Sequence, residues 1–259
     1  MPLEVVIFVG GRGTRMSAHE RALPKVLYEL GGRPILSHVL DIFQAAGHHD
    51  FILTLGYRGS EIARHFLERP PHLDSDFLLT VDGDARHAGY LSGRPDRLAI
   101  KFVRTGIETG KGERLRRVAS HLEGDTFFVT YGDGLADIDL AALLDFHRAR
   151  GKVATITVVR ARSQFGHVEL DERGIVSKIE EKPPLPGWIN GGFFVFNRGV
   201  FDYLQPDDEL EPDCFPRLAA DGQLAAYRHE GFWACIDTDK DYITLDRLCQ
   251  AGPPPWQTW

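Results

Sequence analysis

The chain has 259 residues, 43% of them apolar, and a formal charge of −7 at pH 7. That length suits one large domain spanning residues 1–259 with an ample core, and the negative balance excludes a nucleic-acid surface as the main partner. No apolar run is long enough to span a membrane, no basic leader precedes the first strand, and Cys214, Cys235 and Cys249 read as reduced thiols; a cytoplasmic protein without a disulfide frame or zinc site is expected.

The first strand is Val5–Val9, an apolar run that breaks into Gly10-Gly11-Arg12-Gly13-Thr14-Arg15. Small residues there let backbone N–H groups approach a phosphate chain closely. Arg15 and Lys25, the latter preceded by Pro24, can add positive charge to the same anion, so the layout is that of a nucleoside triphosphate site. It is not a Walker loop, since no Lys-Ser or Lys-Thr follows, and not a dinucleotide fingerprint, since Met16 stands at the third glycine.

Pro34–Ala46 has apolar residues at helical spacing, Phe51–Leu55 reads as a strand and Ser60–Leu67 as a helix. Residues 69–98 are poorly patterned and predict a long loop or insertion. Ala99–Val103, Thr126–Thr130 and Val153–Val159 predict strands, and Arg114–Leu122 and Leu140–Arg150 helices. The alternation implies an α/β fold, Rossmann-like, with a mostly parallel sheet flanked by helices. Residues 1–160 would form the nucleotide-binding core. Beyond them, Gly166–Leu170 and Ile175–Ile179 flank the turn Asp171-Glu172-Arg173-Gly174, and Asn190–Phe196 reads as a further strand. A smaller antiparallel β layer and a C-terminal helix and tail are expected in residues 161–259.

Ligands in such sheets bind at the carboxyl ends of strands. Asp133 follows the apolar run Phe127-Phe128-Val129 and lies between Gly132 and Gly134; it reads either as a Mg²⁺ ligand or as part of a plain Asp-Gly turn. Asp237 ends the run Phe232–Ile236, and either it or Thr238 can instead cap a helix starting near Asp239. Glu181-Lys182 can meet a second phosphate and sugar hydroxyls, or be a solvated charge run. Asn190 offers a donor and an acceptor to a polyhydroxylated ring, while Gly191-Gly192 permits close ligand approach or a β-bulge. No histidines fall at metal-ligand spacing.

With Gly10–Arg15, Pro24-Lys25, Thr130–Gly134, Glu181-Lys182-Pro183, Trp188–Phe194, Gly231-Phe232-Trp233, Asp237-Thr238 and the closing Trp256-Gln257-Thr258-Trp259 in view, the chain resembles the sugar-1-phosphate nucleotidyltransferases over nearly its whole length. Within them it is most similar to the glucose-1-phosphate cytidylyltransferase branch. The resemblance implies transfer of a cytidylyl group from CTP to glucose 1-phosphate, and a homo-oligomer that binds these small molecules and neither nucleic acid nor membrane. It implies Gly10, Gly11, Gly13, Thr14, Thr109 and Arg114 on the nucleotide, Arg15 and Lys25 on the triphosphate, and Asp133 and Asp237 on Mg²⁺. It places Glu181 and Lys182 on the sugar phosphate and Asn190 and Gly191 on the sugar. Val9, Ala22-Leu23, Val26 and Gly110-Lys111-Gly112-Glu113 depart from the family pattern. The alternatives are a uridylyl- or thymidylyltransferase, a cytidylyltransferase for another phosphorylated substrate, and a non-catalytic nucleotide-binding regulatory homologue.

Overall fold

The computed structural model describes residues 2–11, 23–68, 77–82, 85–90, 98–163 and 165–259. The chain begins with β1 (Glu4–Phe8), then a short antiparallel pair, β2 (Glu29–Leu30) and β3 (Arg33–Pro34), which leads into α1 (Ile35–Ala45), β4 (Asp50–Leu55) and α2 (Gly59–Glu68). The antiparallel pair β5 (Phe77–Asp82) and β6 (Ala85–Tyr90) precedes β7 (Ala99–Arg104) and α3 (Lys111–Val118). Next come β8 (Thr126–Tyr131), β9 (Gly134–Ala136), α4 (Leu140–Arg150) and β10 (Ala154–Val159). The second half holds the hairpin β11 (His167–Leu170) and β12 (Val176–Glu180), then β13 (Ile189–Asn190), β14 (Phe194–Asn197), α5 (Phe215–Ala220), β15 (Leu224–His229), β16 (Trp233–Cys235) and α6 (Asp239–Ala251).

Eight strands form one mixed sheet in the order β13-β10-β14-β8-β1-β4-β7, with β15 added alongside β10. The pairs β1–β4, β1–β8, β4–β7 and β10–β15 are parallel; β14 runs antiparallel to both β8 and β10. The central strands read as unbroken apolar runs because helices cover both faces. In β1, Val5 and Ile7 pack into one core with α1 and α4, whereas Val6 and Phe8 pack into the other with α3 and α5. Phe128 and Val195 point to the first core, and Phe127, Val129, Phe194 and Phe196 to the second. The first strand thus lies between β4 and β8, and the crevice at their carboxyl ends is where the chain order switches direction.

Local chemistry sets the helix ends. Asp139 caps α4 by accepting from the Ala142 N–H at 2.9 Å, and Gly151 closes it in the left-handed region at φ 58°. Thr238 and Asp241 form a reciprocal capping box on α6. Thr238 therefore takes the capping role, which leaves Asp237 outside the helix. The predicted helix over 114–122 is displaced: α3 starts at Lys111 and ends at Val118, continuing as a 3₁₀ turn over Ala119–His121. Gly112 makes this start possible, since a Cβ there would lie 2.6 Å from the Asp208 carbonyl oxygen.

Three further features differ from the sequence expectation. Within residues 69–98, Phe77–Asp82 and Ala85–Tyr90 form a two-stranded sheet instead of a loop. Asn190–Phe196 is two strands, because Gly192 and Phe193 take positive φ values of 74° and 50° and break the ladder. The antiparallel element of the second half is also distributed: β13 and β14 join the main sheet, while β11–β12 and β16–β9 form small sheets of their own. Among the described residues no helix is long and apolar enough to cross a membrane.

Glu113 gives the fold a pH dependence. It is 2% exposed and is held by Arg116 Nε at 2.6 Å and Arg117 Nε at 2.7 Å. The Arg116 hydrogen bond, opposed by burial and reinforced by Arg117, lowers its pKa from 4.5 to about 2. A carboxyl depressed in the folded state stabilises above its unfolded pKa and loses that contribution as pH falls through the folded value. Stability against urea should therefore fall from pH 4.5 toward pH 2, and Glu113→Gln should flatten that stretch of the curve; an unchanged slope in the variant contradicts the assignment.

Candidate active site

The carboxyl ends of β1 and β8 open into a cavity of about 500 Å³ lined by Gly11, Arg114, Tyr131, Asp133, Asn190 and Asp237, with further residues around them. Gly10 leaves β1 with its carbonyl held from two sides, by the Tyr57 N–H and by Arg114 Nη2, each at 3.2 Å. Gly11 is exposed at the cavity wall. Gly13, Thr14 and Arg15 lie outside the described residues.

Asp133 and Asp237 are brought together by the β9–β16 pair, in which Gly134 lies opposite Cys235. The Ile236 N–H donates to the Asp133 carbonyl at 3.2 Å and continues this pairing. Between the two carboxylates lies Lys25, whose Nζ is 2.7 Å from Asp133 Oδ2 and 3.3 Å from Asp237 Oδ1. Burial by itself would lower the Lys25 pKa; the two aspartates outweigh it and hold the ammonium above its usual value. Two carboxylates open to one cavity, with oxygen donors only, form a set that suits Mg²⁺, which takes one or two carboxylates and completes its shell with water and phosphate. Among the described residues no group of three or more His, Cys, Asp and Glu side chains could hold a metal ion.

Arg114 lines the cavity, yet its guanidinium is turned into the protein. It is 4% exposed. Nη1 donates to Thr105 Oγ1 at 2.7 Å and to the Gly106 carbonyl at 2.9 Å; Nη2 donates to the carbonyls of Gly10 and Ile107, both at 3.2 Å. It thus ties the first glycine turn to the loop after β7. Thr109, half-buried, lies in that loop.

A polar wall stands opposite. Tyr131 Oη donates to Glu211 Oε1 and accepts from Asn190 Nδ2 at 3.3 Å. Lys111 Nζ reaches the same Glu211 oxygen at 2.5 Å and lies 4.9 Å over the Tyr131 ring. Burial, with the Glu211 carboxylate next, pushes the Tyr131 pKa well above its usual value, so the phenol stays a hydrogen-bond donor. Asn190 Oδ1 accepts from the Gly192 N–H at 3.0 Å, and the Gly191 carbonyl accepts from Trp233 Nε1 at 2.7 Å. Glu211, Tyr131 and Lys111 were not legible as site residues. Tyr131 lay inside a recognised motif, but Glu211 is one acid in an acidic stretch. Its one available signal is structural, a π-type turn over Leu210–Cys214 closed by the Cys214 N–H on the Glu209 carbonyl at 3.4 Å.

A second compartment of about 830 Å³ shares Ile189, Trp233, Cys235 and Asp237 with the first and adds Arg160, Arg162 and Lys240. Lys182 and Glu181 line neither cavity. Lys182 takes φ 50° at the base of the β11–β12 hairpin, and its ammonium is 4.0 Å from the Glu181 carboxylate, which is 76% exposed. The Cys235 thiol is pushed up to about 12 by burial and by the neighbouring Asp237, and is not a nucleophile at neutral pH.

Paired carboxylates around a lysine at the carboxyl ends of strands in a helix-covered sheet fit an enzyme of the nucleotide-handling α/β class. The nucleotidyl transferase family model matches residues 4–251, and the chain belongs to that family. It is 39% identical over 259 residues to a probable glucose-1-phosphate cytidylyltransferase of Bacillus subtilis, covering 99% of this chain and 100% of that one. It is 38% identical over 261 residues to the glucose-1-phosphate cytidylyltransferase of Salmonella typhi, again covering 99% and 100%. The crystal structure of HddC from Yersinia pseudotuberculosis shares the fold, with a TM-score of 0.70 at 21% identity over 95% of this chain and 98% of that one.

The Arg114 geometry generates a test. Arg114→Met removes the hydrogen bonds made by a buried guanidinium and should destabilise the fold by about 1–3 kcal/mol in urea unfolding. Arg114→Lys should not restore wild-type stability, because one ammonium cannot reproduce the planar fork.

Proposed function

We propose that this chain transfers a cytidylyl group from CTP to glucose 1-phosphate, releasing pyrophosphate. The observation that carries the reading is end-to-end similarity to glucose-1-phosphate cytidylyltransferases together with the Lys25–Asp133–Asp237 cluster in the main cavity. A phosphate oxygen of the sugar phosphate attacks the α-phosphorus. The bond from that phosphorus to the oxygen bridging it to the β-phosphate breaks, and pyrophosphate leaves in line. The attacking phosphate has a second pKa of about 6 and is already ionised at neutral pH, so no general base is required. Barrier lowering then comes from alignment and charge neutralisation.

In this reading Gly10, Gly11, Gly13, Thr14 and Thr109 form the nucleotide's cradle. Arg114 acts on the nucleotide through Gly10. Arg15 neutralises the leaving pyrophosphate, and Lys25 meets the triphosphate. Asn190 and Gly191 take the sugar. Glu181 and Lys182 serve the sugar phosphate by moving in from the hairpin base, and the cationic second compartment supports an acceptor phosphate on that side. Asp133 and Asp237 hold Mg²⁺, which when bound supplies charge neutralisation and a common template for both phosphates. Cytoplasmic location fits three thiols that are unpaired in the fold.

A homo-oligomer is part of the proposal, supported by the β11–β12 hairpin. Its register puts Val168 opposite Ile179 and Leu170 opposite Val176 on one face, with His167, Glu169, Lys178 and Glu180 on the other. The apolar face stays open, Ile179 being 73% and Leu170 61% exposed. Such an alternation makes a surface suited to burial against a second copy.

Two experiments test these readings. A panel of four nucleoside triphosphates against several sugar 1-phosphates, read by pyrophosphate release, should show highest turnover with CTP and glucose 1-phosphate; preference for another pair overturns the substrate assignment. In the same assay Asp133→Asn and Asp237→Asn should each lose about 10²-fold or more of the Mg²⁺-dependent rate, and near-normal rates would remove the metal role. Light scattering should give a multiple of 29.0 kDa for the wild type, and Ile179→Glu should lower that mass; a monomeric wild type contradicts the association.

A further inference from the structure

Asp133 and Asp237 share a cation that the chain itself supplies. The Lys25 side chain is 13% exposed, against 28% and 40% for those of the two aspartates, so Lys25 is the most buried side chain of the cluster. A Mg²⁺ ion binds carboxylate oxygen at about 2.0–2.1 Å, and to bridge the two carboxylates through the oxygens that Lys25 holds, Asp133 Oδ2 and Asp237 Oδ1, it must take the ammonium's place. Ammonium and metal cannot share it, because two cations in one small, partly desolvated space repel each other.

Lys25 is fixed at its backbone and free to move at its tip. Pro24 precedes it, Val26 and Leu27 are buried, and the Leu27 N–H donates to the Pro24 carbonyl at 2.8 Å. The four-carbon stem lets the charge shift without any backbone change. Gly11 lines the same cavity, so a triphosphate seated on the glycine turn would present oxygens to the ammonium. A triphosphate carries more negative charge than the two carboxylates and can draw the ammonium across.

We infer that Lys25 is the resident counter-ion of the Asp133–Asp237 pair and a gate on divalent-cation binding: it resists the metal alone, and releases both carboxylates to it when a triphosphate takes over the ammonium. The inference rests on the metal role proposed above for these aspartates. It makes nucleotide and metal binding mutually reinforcing, and the reinforcement is equal in both directions.

Mn²⁺ binding to the full chain, followed by the electron paramagnetic resonance of the free ion with no nucleotide or sugar phosphate present, tests the gate. Lys25→Met keeps the stem and removes the charge; it should bind Mn²⁺ about tenfold or more tightly than wild type. The double variant Lys25→Met/Asp133→Asn should lose that gain, which locates the ion. Unchanged Mn²⁺ affinity in Lys25→Met with a wild-type circular dichroism spectrum overturns the inference. If Lys25→Met does not fold, Lys25→Gln carries the same test, with tighter Mn²⁺ binding than wild type expected and unchanged affinity in the folded variant overturning the gate. Failure of the underlying metal role looks different, since Asp133→Asn and Asp237→Asn would then keep Mg²⁺-dependent turnover while the Mn²⁺ result for Lys25→Met stands separately.

Discussion

The Lys25 ammonium joins segments 108 and 212 residues away, at the ends of β8 and β16. Two carboxylates held beside one another in a half-buried cleft repel, and without an opposite charge one of them would take up a proton or turn away. The β9–β16 pair sets their backbones close, and Lys25 makes that closeness tolerable.

Neighbouring residues on α3 divide buried charge differently. Glu113 faces Arg116 and Arg117 within its own helix, one turn away, and anchors α3 locally. Arg114 reaches the first glycine turn 104 residues distant and supports the loop after β7 at the same time. A guanidinium with five fixed donors is suited to this, because several carbonyls converging on one point need a planar, multi-armed partner. Gly10 is therefore held from behind by an arginine.

In the wall facing Gly10 only Asn190 was singled out by local sequence signals; the contacts of Tyr131, Glu211 and Lys111 were not. Tyr131 leaves β8 beside Asp133, and Glu211 arrives from a π-type turn 80 residues later. The phenol joins Asn190 to Glu211 and Lys111, so side chains from β8, β13, α3 and the Leu210–Cys214 turn form one network. Below it the second compartment opens past Asp237 toward Arg160, Arg162 and Lys240. The site is thus two adjoining spaces, with Asp237 lining both.

Much of this was determined by the sequence alone. Val5–Val9 and Phe51–Leu55 are apolar runs ended by Gly, and Val153–Val159 is a β-branched run; all three fit strands of a sheet covered on both faces. Asp133 and Asp237 were legible as strand-end acids, and Gly10-Gly11 as the end of the first strand, because each depends on neighbours within a few residues. Tertiary structure decided the rest. It inserted β14 antiparallel between β8 and β10, added β15 beside β10, and broke Asn190–Phe196 at Gly192 and Phe193. It turned Arg114 inward onto Gly10, left Glu181 and Lys182 on the base of an exposed hairpin, and set Lys25 between the two aspartates. Those outcomes join residues tens to hundreds of positions apart, and their partners are chosen by packing and by the cost of an unpaired buried charge, neither of which is written in any local stretch of the chain.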